Sequence, residues 1–163
     1  MAKISYNVDS WTPLPVANAA DFTNAGFMAL QGGSATQEIN IEEIYNGGLA
    51  GASSPAVMLV SRDSIIGVTL SGGQQAAFNP ATAALAAPPV GFNAATTKPQ
   101  RSATLHLINM SFNAFGGISR WISRPGSSIV ILGNIASYGE LSISSASNGS
   151  PGLMGSHIIF EPL

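Results

Sequence analysis

The chain has 163 residues, of which 45% are hydrophobic and only 9% are charged, and its formal net charge is −2 at pH 7. Because soluble domains average about 25% charged residues, most of this surface must consist of uncharged polar and small side chains. The composition excludes a disordered chain, which combines low hydrophobicity with high charge. It also excludes a nucleic-acid-binding protein, since the few basic residues are too sparse to form a dense basic face.

The length fits a single domain with a sizeable core. The chain contains no cysteine, which excludes a disulfide framework and a thiolate zinc site. Residues 1–11 lack the apolar segment of a signal peptide, and no apolar run approaches the length of a membrane span. We therefore expect a protein that is made and used as a soluble chain and does not associate with a membrane.

The few charges are segregated along the sequence. Residues 1–63 contain two basic and six acidic residues, whereas residues 64–139 contain four basic residues and no acidic one. These two regions could pair within one chain, or they could be complementary between copies or with a partner. A surface so poor in charge also lacks the usual electrostatic protection against association, so we expect much of it to be covered by other subunits.

An extended N-terminal arm is predicted for residues 1–24. The alternation of Ile4, Tyr6 and Val8 indicates a short strand, and the prolines after Trp11 favour an extended path. An apolar arm of this kind is tied down against its own sheet or against a neighbouring molecule, and both possibilities remain open.

The folded body is predicted over residues 25–163. Its first half contains four candidate strands: Gly26–Gln31, Glu38–Tyr45, Ala56–Ser61 and Ser64–Leu70. The second candidate is ambiguous, because Ile41, Ile44 and Tyr45 also have helical spacing, but the flanking glycines favour a strand. Arg62-Asp63 is interpreted as a turn between the last two candidates, and the glycine pair at 32–33 as a hairpin turn.

An Ala-rich and Pro-rich segment follows at residues 74–100. Asn79-Pro80-Ala81 could begin a short helix that continues to Leu85, with proline in its first turn. The rest is predicted to be a long loop, and a long loop in a compact domain usually makes functional contacts.

The segment from Arg101 to Gly133 is predicted to be a β-meander on which the core forms. Its three strands are separated by turns at Gly116-Gly117 and Pro125-Gly126. The third strand, Ser128–Leu132, has four consecutive aliphatic residues, which predicts burial on both faces. Two more candidates, Glu140–Ser145 and Ser156–Phe160, bring the total to about nine strands, and turn signals at this spacing are typical of a β-sandwich.

No catalytic or metal-binding constellation is visible. His106 and His157 are the only histidines, and each lies in an apolar strand pattern without a partner nearby in sequence. Glu42 and Glu43 are adjacent, so on a strand they would point to opposite faces and could not act as a carboxylate pair. Nucleophile-elbow, phosphate-loop and zinc-protease motifs do not occur. We therefore predict that the chain is not an enzyme and has no cofactor or metal.

Trp121 lies between Arg120 and Arg124 on a predicted strand, and aromatic and Arg side chains are enriched at interface hot spots. Trp121 would then contact a partner, or it would cap the edge of the core. The predicted partner interface combines this group with the arm: Ile4, Tyr6, Val8, Trp11, Arg120, Trp121 and Arg124.

The stretches Ser111–Gly117 (SFNAFGG) and Gly139–Ser144 (GELSIS), in a cysteine-free chain rich in Ala, Gly and Ser, resemble head decoration (cement) proteins of tailed bacteriophages. The resemblance is strongest from about Arg101 to the C-terminus. It implies an all-β, single-domain β-sandwich of the jelly-roll type, but it includes no motif that assigns a role to an individual residue.

The resemblance also implies a function. Such proteins are virion components that sit on the capsid exterior, bridge neighbouring capsid subunits and reinforce the head. The expected partners are the major capsid protein and further copies of the chain, as a dimer or trimer, after synthesis in the host cytoplasm. The alternative is a carbohydrate-binding β-sandwich module of a phage tail or fibre, which would need aromatic side chains on one exposed face.

Overall fold

The computed structural model describes residues 4–10, 28–53, 55–66, 71–72, 75–83, 85, 90–94, 99–113, 115–135, 137–146 and 153–163. Within these ranges the chain forms twelve β-strands and no helix. In chain order the strands are β1 (Tyr6–Ser10), β2 (Met28–Gln31), β3 (Glu38–Leu49), β4 (Pro55–Ile65), β5 (Ser71–Gly72), β6 (Gln75–Ala77), β7 (Val90–Ala94), β8 (Gln100–Asn113), β9 (Ile118–Ile122), β10 (Ile129–Leu132), β11 (Glu140–Ala146) and β12 (Leu153–Pro162).

The strands form two antiparallel sheets of six strands each. Sheet A has the order β10-β3-β12-β1-β6, and β9 pairs with β3 beside β10. Sheet B has the order β5-β7-β2-β11-β4-β8. The sheets pack face to face, so the predicted all-β sandwich is confirmed, while its jelly-roll connectivity stays a prediction.

One hydrophobic core lies between the sheets. Side chains alternate between the two faces of a strand, and most residues of inward parity are aliphatic or aromatic in both sheets. Asn46 and Ser156 are buried polar exceptions in sheet A, and the Ser156 hydroxyl donates to Asn46 Oδ1 at 2.8 Å. The largest fully buried side chains are Phe160, Leu30, Ile39, Ile41, Ile44, Met58, Ile131, Leu141, Ile143 and Ile158. Complete burial of such a side chain contributes roughly 1.5–3 kcal/mol each, so this shared interior dominates the stability of the fold.

A β-bulge in β3 explains the ambiguous spacing in the sequence of this strand. The register between β12 and β3 shifts where Ile159 pairs with Glu43 and Phe160 with Ile41, so Glu42 is an extra residue. Ile41 and Ile44 therefore both point into the core, although they are three residues apart. The predicted strand is confirmed, and its apparent helical periodicity is the bulge.

The predicted β-meander at residues 101–133 is wrong, although its three strands exist. β8 pairs with β4 in sheet B, whereas β9 and β10 both pair with β3 in sheet A. The turn after β8 therefore carries the chain from one sheet to the other. The turn at Pro125-Gly126 is confirmed by a hydrogen bond from the Ser127 N–H to the Arg124 carbonyl at 2.9 Å.

Two further local predictions are wrong. Arg62 and Asp63 do not form a turn but lie within β4, which continues to Ile65 and pairs with β11 and β8. β10 is not buried on both faces, because Leu132 is exposed while Ile129 and Ile131 enter the core. A strand of sheet A has only one face against sheet B. Side chains on its other face therefore stay outside the core even when they are apolar.

The N-terminal segment is not an arm over residues 6–10. β1 lies inside sheet A, paired with β12 on one side and β6 on the other. Tyr6 stacks on Phe160, with 5.8 Å between ring centroids, and its hydroxyl donates to the Ala83 carbonyl at 3.0 Å. Residues 1–3 and 11–24 of the predicted arm lie outside the described residues.

The segment 74–100 is also more ordered than the predicted loop, because it contributes β6 and β7. The predicted helix after Asn79 is wrong where the chain is described. The Thr82 N–H donates to the Asn79 carbonyl at 2.9 Å, and the Ala81 N–H donates to Asn79 Oδ1 at 3.0 Å. These contacts close a turn around Pro80.

Two connections between the sheets pass each other in main-chain contact. The link from β2 to β3 contains Gly32, whose N–H donates to the Gly139 carbonyl at 3.0 Å. The link from β10 to β11 contains Gly133, whose N–H donates to the Gln37 carbonyl at 3.0 Å. A Cβ at Gly32 would lie 2.0 Å from the Gly133 oxygen, so glycine is required at this crossing. The hairpin predicted at 32–33 is instead this crossover.

We predict that Gly133→Ala lowers the free energy of unfolding by about 2 kcal/mol or more. Gly133 has a φ of +62°, and an added Cβ would lie 2.5 Å from the Ala35 carbonyl oxygen. Gly47→Ala in β3 is the matched control, because a Cβ there meets nothing within 4 Å. Urea denaturation measures both variants, and equal losses would contradict the proposed crossing.

Candidate interaction surface

β8 and β9 lie at the same margin of the sandwich, which we call the β8–β9 edge. Among the described strands, β8 pairs only with β4 and β9 pairs only with β3. The two strands also contact each other across the margin. Each strand therefore presents one row of main-chain groups that no other described strand covers.

Large apolar side chains are exposed along this edge. On β9 the exposed fraction is 77% for Ile118 and 49% for Ile122, and in the turn before β9 it is 59% for Phe115. On β8, Leu105 and Leu107 are also exposed, while Ile108 and Met110 pack against the core. The alternation that buries one set of side chains therefore turns an apolar set outward.

The usual protection of an edge strand is incomplete here. Natural edges are blocked by Lys, by Pro or by bulges. β8 and β9 contain neither Lys nor Pro. The first half of β8, which pairs with Ser61–Ile65, has an irregular register. The second half, Ile108–Asn113, pairs with Pro55–Val60 in unbroken register. The regular half of β8 can therefore accept another strand or another protein surface.

A polar cluster lies on the outer face of sheet A next to the exposed isoleucines. Arg120 donates to Glu43 Oε2 from Nη2 at 2.7 Å and from Nε at 3.1 Å, and the Tyr45 hydroxyl donates to the same oxygen. The Arg120 Cζ atom lies 5.0 Å from the centroid of the Tyr45 ring. Arg120 and Tyr45 are direct cross-strand partners, so the sheet register itself places these groups together.

The electrostatics of this cluster follow from its hydrogen bonds. Donation from the Tyr45 hydroxyl, followed by donation from Arg120, lowers the pKa of Glu43. The same bond to Glu43 raises the pKa of Tyr45, and the carboxylate raises the pKa of Arg120. Glu43 is therefore ionised at neutral pH, and the cluster orders the Arg120 side chain between Ile118 and Ile122.

The structure separates the predicted interface residues into three groups. Arg120, Arg124 and Ile4 are exposed, as an interface requires. Tyr6 and Val8 were predicted wrongly, because both are buried in the core of their own chain. Trp121 packs against that core, which agrees with the prediction that it caps the core edge, and Trp11 lies outside the described residues.

The two histidines lie in different sheets, and of the two only His157 lies near the Glu43 cluster. His106 is on β8 in sheet B, whereas His157 is on β12 in sheet A, edge-on to Tyr45 with 5.9 Å between ring centroids. Glu42 accepts a hydrogen bond from the Ser5 hydroxyl at 2.9 Å, while Glu43 binds Arg120. No group of three or more His, Cys, Asp or Glu side chains in the described ranges could hold a metal ion.

Sequence reasoning missed the exposed residues of the edge and a second polar cluster. Phe115, Ile118 and Ile122 were assigned only to a turn and a strand, because exposure depends on which sheet the strand joins. Asp63 and Glu140 come together in sheet B although they are far apart in sequence. Only the strand pairing reveals that contact.

Comparison of the chain with family models, with curated proteins and with solved structures found no match. Over the described residues, the structure contains no helix with the length and apolarity needed to cross a membrane.

We predict that Glu43→Gln lowers the pKa of Tyr45 towards the ordinary tyrosine value. The variant removes the carboxylate that accepts the Tyr45 hydrogen bond, and with it the negative charge that opposes ionisation of the phenol. Phenolate absorbance during alkaline titration measures the change, and subtraction of the Tyr45→Phe titration isolates this residue. Glu38→Gln, on the same strand but with an exposed side chain, is the control. An unchanged Tyr45 titration in Glu43→Gln would contradict the hydrogen bond.

Proposed function

We propose that the chain is a structural subunit that binds the outer surface of a phage capsid and stabilises the head by bridging capsid subunits. The observation that carries the proposal is the β8–β9 edge, where exposed isoleucines lie beside a strand whose edge is only partly protected. Contiguous exposed apolar side chains mark interaction sites in soluble proteins. Burial of this edge against another protein would remove both the apolar surface and the uncovered main-chain groups from water.

The shortage of charge supports the same function. Only 9% of the residues are charged, so the chain has few ionised groups with which to keep its surface from associating. A subunit that works within a protein lattice does not need that protection. The resemblance to head decoration proteins supplies the identity of the lattice, and the proposed partners are the major capsid protein and further copies of this chain.

The alternative, a carbohydrate-binding module, has weaker support from the described residues. Sugar-binding modules stack sugar rings on exposed aromatic faces, yet the Tyr45 ring is covered by Arg120 and Trp121 packs against the core. Tyr138 is exposed, but it lies in the turn between β10 and β11 and not on the strands that carry Tyr45 and Trp121. A glycan array separates the two functions, because a capsid-binding subunit should give no signal on it.

We predict that Ile118→Lys and Ile122→Lys each weaken cosedimentation with empty phage heads by about tenfold or more, because a lysine in a desolvated contact loses apolar area and buries a charge. Ile65→Lys is the matched control, since Ile65 is 46% exposed but lies at the end of β4. All three variants should keep wild-type thermal stability.

Two outcomes would contradict this proposal. One is that wild-type chain fails to cosediment with heads at micromolar concentration. The other is that Ile65→Lys weakens binding as much as the two β9 variants, which would locate the contact elsewhere or make it a nonspecific effect of charge.

A further inference from the structure

Two carboxyl groups are buried together in sheet B, on the face that points away from the core. Asp63 on β4 and Glu140 on β11 are both fully inaccessible to solvent, and their side chains are hydrogen-bonded to each other. Register explains the contact: Leu141 pairs with Arg62, so the residues next to them, Glu140 and Asp63, are cross-strand neighbours. Like charges directly opposite each other in a sheet are destabilising, so this pairing needs a compensating feature.

One carboxyl oxygen of the pair accepts a hydrogen bond from a serine. The Ser142 hydroxyl donates to Asp63 Oδ1, whereas Asp63 Oδ2 and the hydroxyl of Ser61 are buried without a hydrogen-bond partner. An ionised carboxylate with one unsatisfied oxygen in a buried site is costly. A protonated carboxyl donates one hydrogen bond and accepts others, so a proton at this site reduces that cost.

The surrounding charges do not neutralise two carboxylates. From β8, Arg101 pairs with Asp63 across the strands and His106 pairs with Ser61. From β2, the residue opposite Glu140 is Gln31, which does not titrate. Arg62 immediately precedes Asp63 in β4, and its side chain donates to the Tyr138 carbonyl at 3.3 Å. Among the described residues, the strand register thus places one fixed positive charge, Arg101, beside the two acids, and the site is balanced when the acids share one proton.

We propose that Asp63 and Glu140 form a proton-sharing pair that makes sheet B more stable when the pH falls and less stable when it rises towards neutrality. The direction follows from linkage, and this inference is independent of the proposed function. Burial raises the pKa of Asp63 from 3.8 to about 6, against the opposing effects of Ser142, Glu140 and Arg101. The folded chain therefore binds more protons than the unfolded chain between these values, and stability falls as the pH rises through that window.

The experiment measures thermal unfolding of the full chain from about pH 4.5 to pH 7. The wild-type midpoint should fall by on the order of 5–10 °C as the pH rises. Asp63→Asn replaces one acid of the pair with a neutral group and leaves Glu140 as the single acid, with Arg101 on the strand beyond β4. Its midpoint should therefore be flat over the window and above wild type at pH 7. Asp9→Asn changes an exposed carboxylate on β1 and should keep the wild-type slope.

Infrared spectroscopy provides a second measurement, whose decisive reading comes from the wild-type chain. The folded wild-type chain should keep the C=O stretch of a protonated carboxyl at pH values where exposed carboxylates have lost their protons, and Glu140→Gln or Asp63→Asn should abolish it. The proposal is overturned if that band is absent at pH 5.5–6. It is equally overturned if the wild-type midpoint is flat or rises over the window, or if Asp63→Asn keeps the wild-type slope.

Discussion

The main-chain groups of β8 and β9 that no other described strand covers are the constraint that shapes the rest of the molecule. A strand at the margin of a sheet must cover these groups, block them with charge or bulges, or leave them to a partner. With few ionised side chains, this chain has little means of blocking them, and its bulges protect only part of β8. The exposed Ile118 and Ile122 add apolar surface to the same margin. The proposed contact of this edge with another protein would explain the lack of charge, the open strand and the apolar exposure together.

The fold class could be predicted from the sequence because it depends on local patterns. Alternation and turn residues located most of the strands, including β9, β11 and β12. Strand pairing could not be predicted in the same way, because pairing depends on which apolar faces meet in three dimensions. The three strands at 101–133 were assigned to one meander, yet the structure divides them between two sheets. The ambiguous spacing of β3 could not be resolved from the sequence either, because the extra residue at Glu42 gives the strand an apparent helical spacing.

The candidate surface was only partly predictable for a related reason. The apolar side chains of an alternating segment can face a partner or the core of their own chain. Tyr6 and Val8 were assigned to a partner interface, but they lie in the core. Arg120 was identified as a surface residue from its position beside Trp121, but its bonds to Glu43 and its position over Tyr45 depend on cross-strand register. The Asp63–Glu140 pair had no sequence signal at all, because Asp63 looked like a turn residue. Charged residues that meet across a sheet can be identified only when the strand pairing is known.

Amide hydrogen exchange on the chain, free and bound to empty phage heads, tests the central claim most directly. Exchange is measured residue by residue, so it reports whether the uncovered rows of β8 and β9 are the surface that becomes covered. We expect amides at the open edge of Ile108–Asn113 and of Ile118–Ile122 to exchange rapidly in the free chain and slowly on the particle. Equal exchange rates at these amides in the free and the particle-bound chain would contradict it.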